Sequence, residues 1–153
     1  MLAIDTNLLF YAFAKDRPEH AAALEWLAPL HESDHVVISE LMLVELYRLL
    51  RNPAVAKKPL AAPQAAAVIE IYRAHPRWRV AGFPRDDRAL HDALWKIAAR
   101  PGFAYRRIYD ARLALTLQAH GATRFATRNK ADFAALGFEQ VFDPLEGANR
   151  GKG

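Results

Sequence analysis

Asp5 closes a short apolar run, Met-Leu-Ala-Ile, and is followed at once by Thr6 and Asn7. Such a run reads as a buried strand with Asp5 at its carboxyl end, the edge where open α/β sheets place their ligands. A carboxylate buried there needs a counter-charge, and a metal ion supplies one compactly. Three later stretches bring polar groups to equivalent places. Glu45 stands inside the apolar stretch 41–46, Asp110 follows a basic loop, and Asn129 and Asp132 follow another apolar run. Each falls at the end of a predicted strand or one helix turn beyond it. Oxygen ligands without Cys or clustered His suit Mg²⁺, with Mn²⁺ as a substitute, better than Zn²⁺. A carboxylate cluster repels a phosphodiester unless a divalent cation bridges them. The chemistry expected of this set is therefore metal-assisted hydrolysis at phosphate, with nearby arginines holding the remaining phosphates.

Each of these residues also has an ordinary explanation. Glu45 can lie on the exposed stripe of a helix or pair with Arg48 three residues on. Asp110 suits a helix N-cap or first turn, and Asn129 or Asp132 can cap the turn that follows them. Thr6 and Asn7 can orient Asp5 or cap the first helix. The case for chemistry lies in the convergence, because four separate parts of the chain bring oxygen ligands to one kind of position.

The elements that must position them alternate. Strands are predicted at the start of the chain, at 36–38, 78–80, 123–127 and 140–142. Helices are predicted over 8–14, 19–30, from the Ser39 cap to Arg51, 63–74, 86–99, 109–119 and, as a single turn, 130–135. Asn52-Pro53 stops one helix and Gly121 ends another. Segments 52–63 and 100–107 read as loops, the second of them basic. Alternation of this kind argues for a parallel sheet covered on both faces. Residues 1–146 read as one domain and 147–153 as a loose tail.

The chain has 153 residues, 52% hydrophobic and 25% charged, which is the composition of a globular domain. No apolar run approaches the roughly 20 residues of a membrane span, and Asp5 interrupts any signal-peptide core. With no cysteine, disulfides and thiolate metal sites are excluded, in keeping with a cytoplasmic protein. Lys and Arg number 21 against 17 Asp and Glu, a net +4 that suggests a polyanionic partner. Much of the excess is in the second half, including Arg100, Arg106, Arg107, Arg112, Arg124 and Arg128. Trp26, Trp78, Trp95 and the tyrosines have apolar neighbours and are expected in the core rather than as stacking platforms.

Competing motifs fail on context. His31-Glu-Ser-Asp-His35 matches the zinc-protease pattern, but that pattern needs a helix, and Ser33-Asp34 before a strand forms a turn. Asp5 followed by Asn7 lacks the second acid of strand-end aspartate phosphatases. Glycines near the chain's end precede no helix that would cradle a phosphate.

Taken together, Ile-Asp5-Thr6-Asn7, the stretch from Ser39 to Leu50 with Glu45, Tyr109-Asp110-Ala111, and Ala126-Thr127-Arg128-Asn129 with Asp132-Phe133 resemble the PIN-domain ribonucleases. More narrowly, they resemble the VapC-type toxins of toxin–antitoxin pairs. The resemblance implies a PIN-like α/β/α sandwich with a short, mostly parallel central sheet, and a homodimer. It also implies Mg²⁺-dependent cleavage of RNA and neutralisation by a cognate antitoxin. Asp5, Glu45 and Asp110 match the family's metal-binding acids. At the fourth place many members carry Thr-x-Asp, whereas this chain has Thr127-Arg128-Asn129 with Asp132 three residues on, so either Asn129 or Asp132 completes the site. Helices within 8–30 and 40–51 are expected to offer apolar surface to a second subunit and an antitoxin. The other class considered is a PIN-like module that binds RNA or a partner without cutting.

Overall fold

The central strand is the first. β1 (Leu2–Ile4) lies between β2 (Val36–Ser39) and β4 (Arg124–Ala126), with β3 (Arg79–Ala81) and β5 (Gln140–Phe142) at the edges. The order is β3-β2-β1-β4-β5 and all four pairings are parallel. In this computed structural model residues 1–83 and 85–147 are described. Most of the 147–153 stretch, read above as a tail, lies outside them.

Successive strand residues point to opposite faces of a sheet, and the core divides accordingly. Ile4, Val36, Ile38 and Ala126 face one apolar layer, whereas Ala3, Val37 and Phe125 face the other. Burial on both sides explains why these strands are uninterrupted apolar runs. The first layer is built by α1 (Thr6–Phe13), α2 (His20–Leu27), α3 (Glu40–Arg51) and α4 (Ala62–Arg73). The second is built by α5 (Asp87–Ala98), α6 (Ile108–Ala119) and α7 (Lys130–Phe133). The result is the expected α/β/α sandwich.

Two local signals act as the sequence suggests. Ser39 Oγ accepts from the Met42 N–H at 3.2 Å and starts α3. Gly121, at φ 87°, ends α6 in a left-handed conformation that a side chain would strain. The histidine motif is not helical across its length: His31 and Glu32 end a 3₁₀ segment (Ala28–Glu32), and Ser33 leaves it in extended backbone. His31 instead stacks on Trp78 and His75, its Nδ1 3.1 Å from His75 Nε2.

The aromatic expectation needs correction. Trp78 is buried and Trp26 packs against the first layer, but Trp95, Tyr105 and Tyr109 are exposed. Trp95 directly follows the inward Leu94 on α5, about 100° around the helix from it, and so sits on a different face from Leu90 and Leu94.

Candidate active site

Chain order reverses direction across the sheet between β1 and β4. After β1 the chain builds outward through β2 and β3, then returns to the other side of β1. Carboxyl ends of strands at such a switch point border a crevice, because the flanking connections leave in opposite directions. Asp5 stands there, directly after β1 and at the N-cap of α1. Thr127 stands there too, directly after β4, and the Asp5 N–H donates to the Ala126 carbonyl at 2.9 Å.

Asp5 is 7% exposed. Its Oδ2 accepts from Thr127 Oγ1 at 2.5 Å and from Asn7 Nδ2 at 2.8 Å. Thr127 Oγ1 also accepts from the Asn129 N–H at 2.9 Å, so the loop after β4 is folded around this hydroxyl. Burial raises the Asp5 carboxyl to a pKa of about 6, and the negative charges of Glu45 and Asp110 add to the rise. The Thr127 hydroxyl and the backbone at Thr6 act in the opposite direction.

Glu45 reaches the same region from α3. Thr6 Oγ1 donates to the Met42 carbonyl at 3.3 Å, joining the first turn of α1 to α3. Glu45 is not buried, although its sequence neighbours are apolar. It shares an exposed stripe with Leu41 and Val44, and its Oε1 lies 3.6 Å from Arg48 Nη2. It also lines a cleft of about 320 Å³ with Asp110, Tyr109 and Arg112.

Asp110 sits in the first turn of α6, half-buried. Burial raises its pKa, the Asp132 and Glu45 charges raise it further, and Arg107 opposes them. Asp132 therefore belongs to the same electrostatic group, although it follows β4 and not β1 or β2. Arg107 Nη2 donates to the Asp132 carbonyl, which ties the start of α6 to α7. Asn129 is exposed, and its side chain makes no capping bond to α7.

Asp5 thus feels the charges of Glu45 and Asp110, and Asp110 feels those of Glu45 and Asp132. Among the described residues no three His, Asp or Glu side chains close into a ready metal cage. The donor chemistry nevertheless fits a hard divalent cation: carboxylate oxygens of excess negative charge, two of them with raised pKa. Asn7 Oδ1, beside Asp5, is a buried oxygen without a hydrogen-bond partner among the described residues. Arg107 Nε is a buried donor in the same condition. The sequence marks Arg107 and Arg112 only as part of a basic excess and Thr127 only within a motif; the bonds of Thr127 to Asp5 and of Arg107 to Asp132 depend on contacts across the sheet and between helices.

A family model described as PIN domain matches residues 2–139. The chain belongs to the PIN-domain family. Within it, the chain is of the VapC type, being 46% identical over 145 residues to Ribonuclease VapC24 of Mycobacterium tuberculosis. That alignment covers 95% of this chain and 97% of the relative. Among solved structures, Mycobacterium tuberculosis VapC20, described as a sarcin-ricin loop cleaving toxin, superposes with TM-score 0.66 at 21% identity. It covers 90% of this chain and 96% of its own. VapBC2 from Rickettsia felis, bound to a DNA fragment from their promoter, gives 0.64 at 19% identity, covering 93% and 97%. At such identities these two likenesses speak for the PIN fold.

Proposed function

We propose that this PIN domain is an Mg²⁺-dependent endoribonuclease, the toxin of a toxin–antitoxin pair, hydrolysing RNA phosphodiesters at a carboxylate-bound metal centre. One observation carries this reading: Asp5, Glu45 and Asp110, from separate parts of the chain, repel one another near the sheet's switch point, and Asp132 adds its charge against Asp110. Such repulsion is relieved by a cation. The identity to a ribonuclease over nearly the full chain supports the RNA substrate.

Asp5, Glu45 and Asp110 would hold Mg²⁺, and Mn²⁺ suits the same oxygens. Bound there, the ion supplies a Lewis acid for the phosphate and an acidified water as nucleophile. Thr127 and Asn7 hold the Asp5 carboxylate in one orientation by bonding its Oδ2. Asp132 completes the site in preference to Asn129, because its charge already bears on Asp110. Arg107 and Arg112 are the nearby cations for the substrate's other phosphate oxygens.

For an antitoxin, the suited surface is an apolar cleft of about 740 Å³ beside α1 and α2, lined by Phe10, Phe13, Leu24 and Leu60 with Lys57 and Lys58. The exposed Leu41, Val44 and Phe83, which line one cleft, suit a second copy of the chain. No helix among the described residues is long and apolar enough to cross a membrane. The ribonuclease toxin reading itself puts the protein's action in the cytoplasm, where its RNA substrate is.

The test is incubation of purified protein with total RNA in Mg²⁺ or EDTA, beside Asp5→Ala. Cleavage that needs Mg²⁺ and disappears in the variant is expected. Binding of RNA with no metal-dependent cut would replace the enzyme by a PIN-like binding module.

A further inference from the structure

Between α5 and Asp110 the chain reads Arg100-Pro-Gly-Phe-Ala-Tyr-Arg-Arg-Ile-Tyr109, with three arginines, three aromatics and no acid. The aromatics divide sharply. Phe103 packs against the second core layer, but Tyr105 is 89% exposed and Tyr109 is 80% exposed. A 3₁₀ turn (Tyr105–Arg107) runs directly into α6, so the two tyrosines stand about one turn apart. Two large rings left in water beside an active site are more informative than scattered surface leucines.

Arg107 is held by its bond to the Asp132 carbonyl, but Arg100 and Arg106 carry no such tie among the described residues. Among the described residues Arg100, Arg106 and Arg107 enter no salt bridge. Arg48, Arg73, Arg77, Arg88, Arg128 and Lys130 elsewhere are each paired with carboxylates. Tyr109 directly precedes Asp110 and forms part of the same cleft as Asp110, Glu45 and Arg112. A phosphate held at the carboxylates would therefore have its neighbouring nucleotide beside Tyr109.

We infer that segment 100–109 is a track for an unpaired RNA strand, its arginines holding backbone phosphates while Tyr109 and Tyr105 stack bases. The inference rests on the ribonuclease reading above and assigns to these residues the task of holding the strand that is cut. Bases in a duplex already stack on their neighbours, so a tyrosine ring finds an open base face only where pairing is absent. Stacking of this kind tolerates any base. An acidic protein segment would satisfy the same arginines but has no need of stacked rings, and the test separates the two.

Binding of a fluorescein-labelled unstructured oligoribonucleotide, and of the same strand in a duplex, is followed by anisotropy in EDTA, where no turnover occurs. Tyr109→Ala is expected to weaken single-strand binding by about five- to a hundred-fold. Tyr109→Phe should bind as wild type, and duplex binding should change little in either. Arg106→Ala should lower the salt dependence of single-strand binding by about 0.7 in log–log slope. Tyr105→Ala, at a site with almost no contacts to lose, provides the same reading should Tyr109→Ala fail to fold. The inference is overturned if both alanine variants bind single strands as wild type, or lose as much on the duplex. It is also overturned if they change only self-association by sedimentation. Wild-type protein that binds but does not cut in Mg²⁺ would sink the nuclease reading and leave the track. Wild-type cutting with unchanged variants would sink the track alone.

Discussion

Thr127 Oγ1 donates a 2.5 Å hydrogen bond to Asp5 Oδ2, joining the carboxyl ends of two adjacent parallel strands 122 residues apart in sequence. The Thr127 side chain is fully buried, and its hydroxyl also accepts from Asn7 Nδ2 and the Asn129 N–H. The hydroxyl therefore sets both the orientation of the central carboxylate and the course of the loop that carries Asp132.

Thr127→Val keeps the shape and removes the hydroxyl. It should lower unfolding stability by about 1–3 kcal/mol, because the buried Asp5 carboxyl and the half-buried groups at Asn7 and Asn129 lose a partner. Urea denaturation measures this directly. Mg²⁺ affinity, by calorimetry, should fall about 10- to 100-fold, as when a group that orients a metal ligand is removed. Thr127→Ser should keep most of the affinity; a serine variant as weak as valine would count against the hydroxyl's role.

The raised pKa of Asp5 makes stability depend on pH in a definite direction. Between its ordinary value of 3.8 and about 6, the folded state keeps a proton that the unfolded chain has released. Stability of the metal-free protein should therefore fall as pH rises through that window, by about 3 kcal/mol at most, and level off above it. Asp110, also raised, adds in the same direction. Asp5→Asn should remove most of this decline and be the more stable protein at neutral pH while losing activity. Denaturant melts in EDTA at pH 4, 6 and 8 check the sign; a wild type that gains stability across the window contradicts it.

Asp132 and Asn129 compete for the fourth place at the site. Asp132→Asn removes the charge that bears on Asp110 and should reduce Mg²⁺ affinity and RNA cleavage about 10- to 100-fold. Asn129→Ala leaves its backbone N–H on Thr127 intact and should cost much less in the same assays. The opposite ranking would make Asn129 the ligand.

Arg128 and Arg48 both pair with carboxylates, in different surroundings. Arg128 Nη1 meets Asp143 Oδ2 at 2.8 Å, with the Asp143 side chain 10% exposed, and holds the exits of β4 and β5 together. Arg128→Ala leaves that carboxylate half-satisfied and should cost about 1–3 kcal/mol in urea melts. Arg48→Ala, whose partner Glu45 is open to solvent, should change stability by less than about 0.5 kcal/mol. Equal effects would mean that burial does not distinguish the pairs.

Most of the fold is legible in local patterns. The apolar runs before Asp5, at Val36 and before Thr127 become strands, and Ser39, Asn52-Pro53 and Gly121 bound helices where their chemistry predicts. Asp5 and Asp110 are visible as acids at a strand end and a helix start, and Glu45 because it interrupts an apolar run. Glu45 shows the limit of that signal. Its neighbours are apolar, yet Leu41, Val44 and Glu45 share the outward stripe of α3, since helical period and not composition decides which side faces the core.

The sequence by itself thus determined which segments become strands and helices and which acids end them, because these depend on neighbours a few residues away. Only the tertiary structure decided strand order, and with it that β1 and β4 lie side by side so that Thr127 meets Asp5. It also decided that Arg107 ties α6 to α7 and that Tyr105 and Tyr109 face water. The physical reason is that such contacts join residues far apart in the chain, and they exist only once both layers have packed on the sheet.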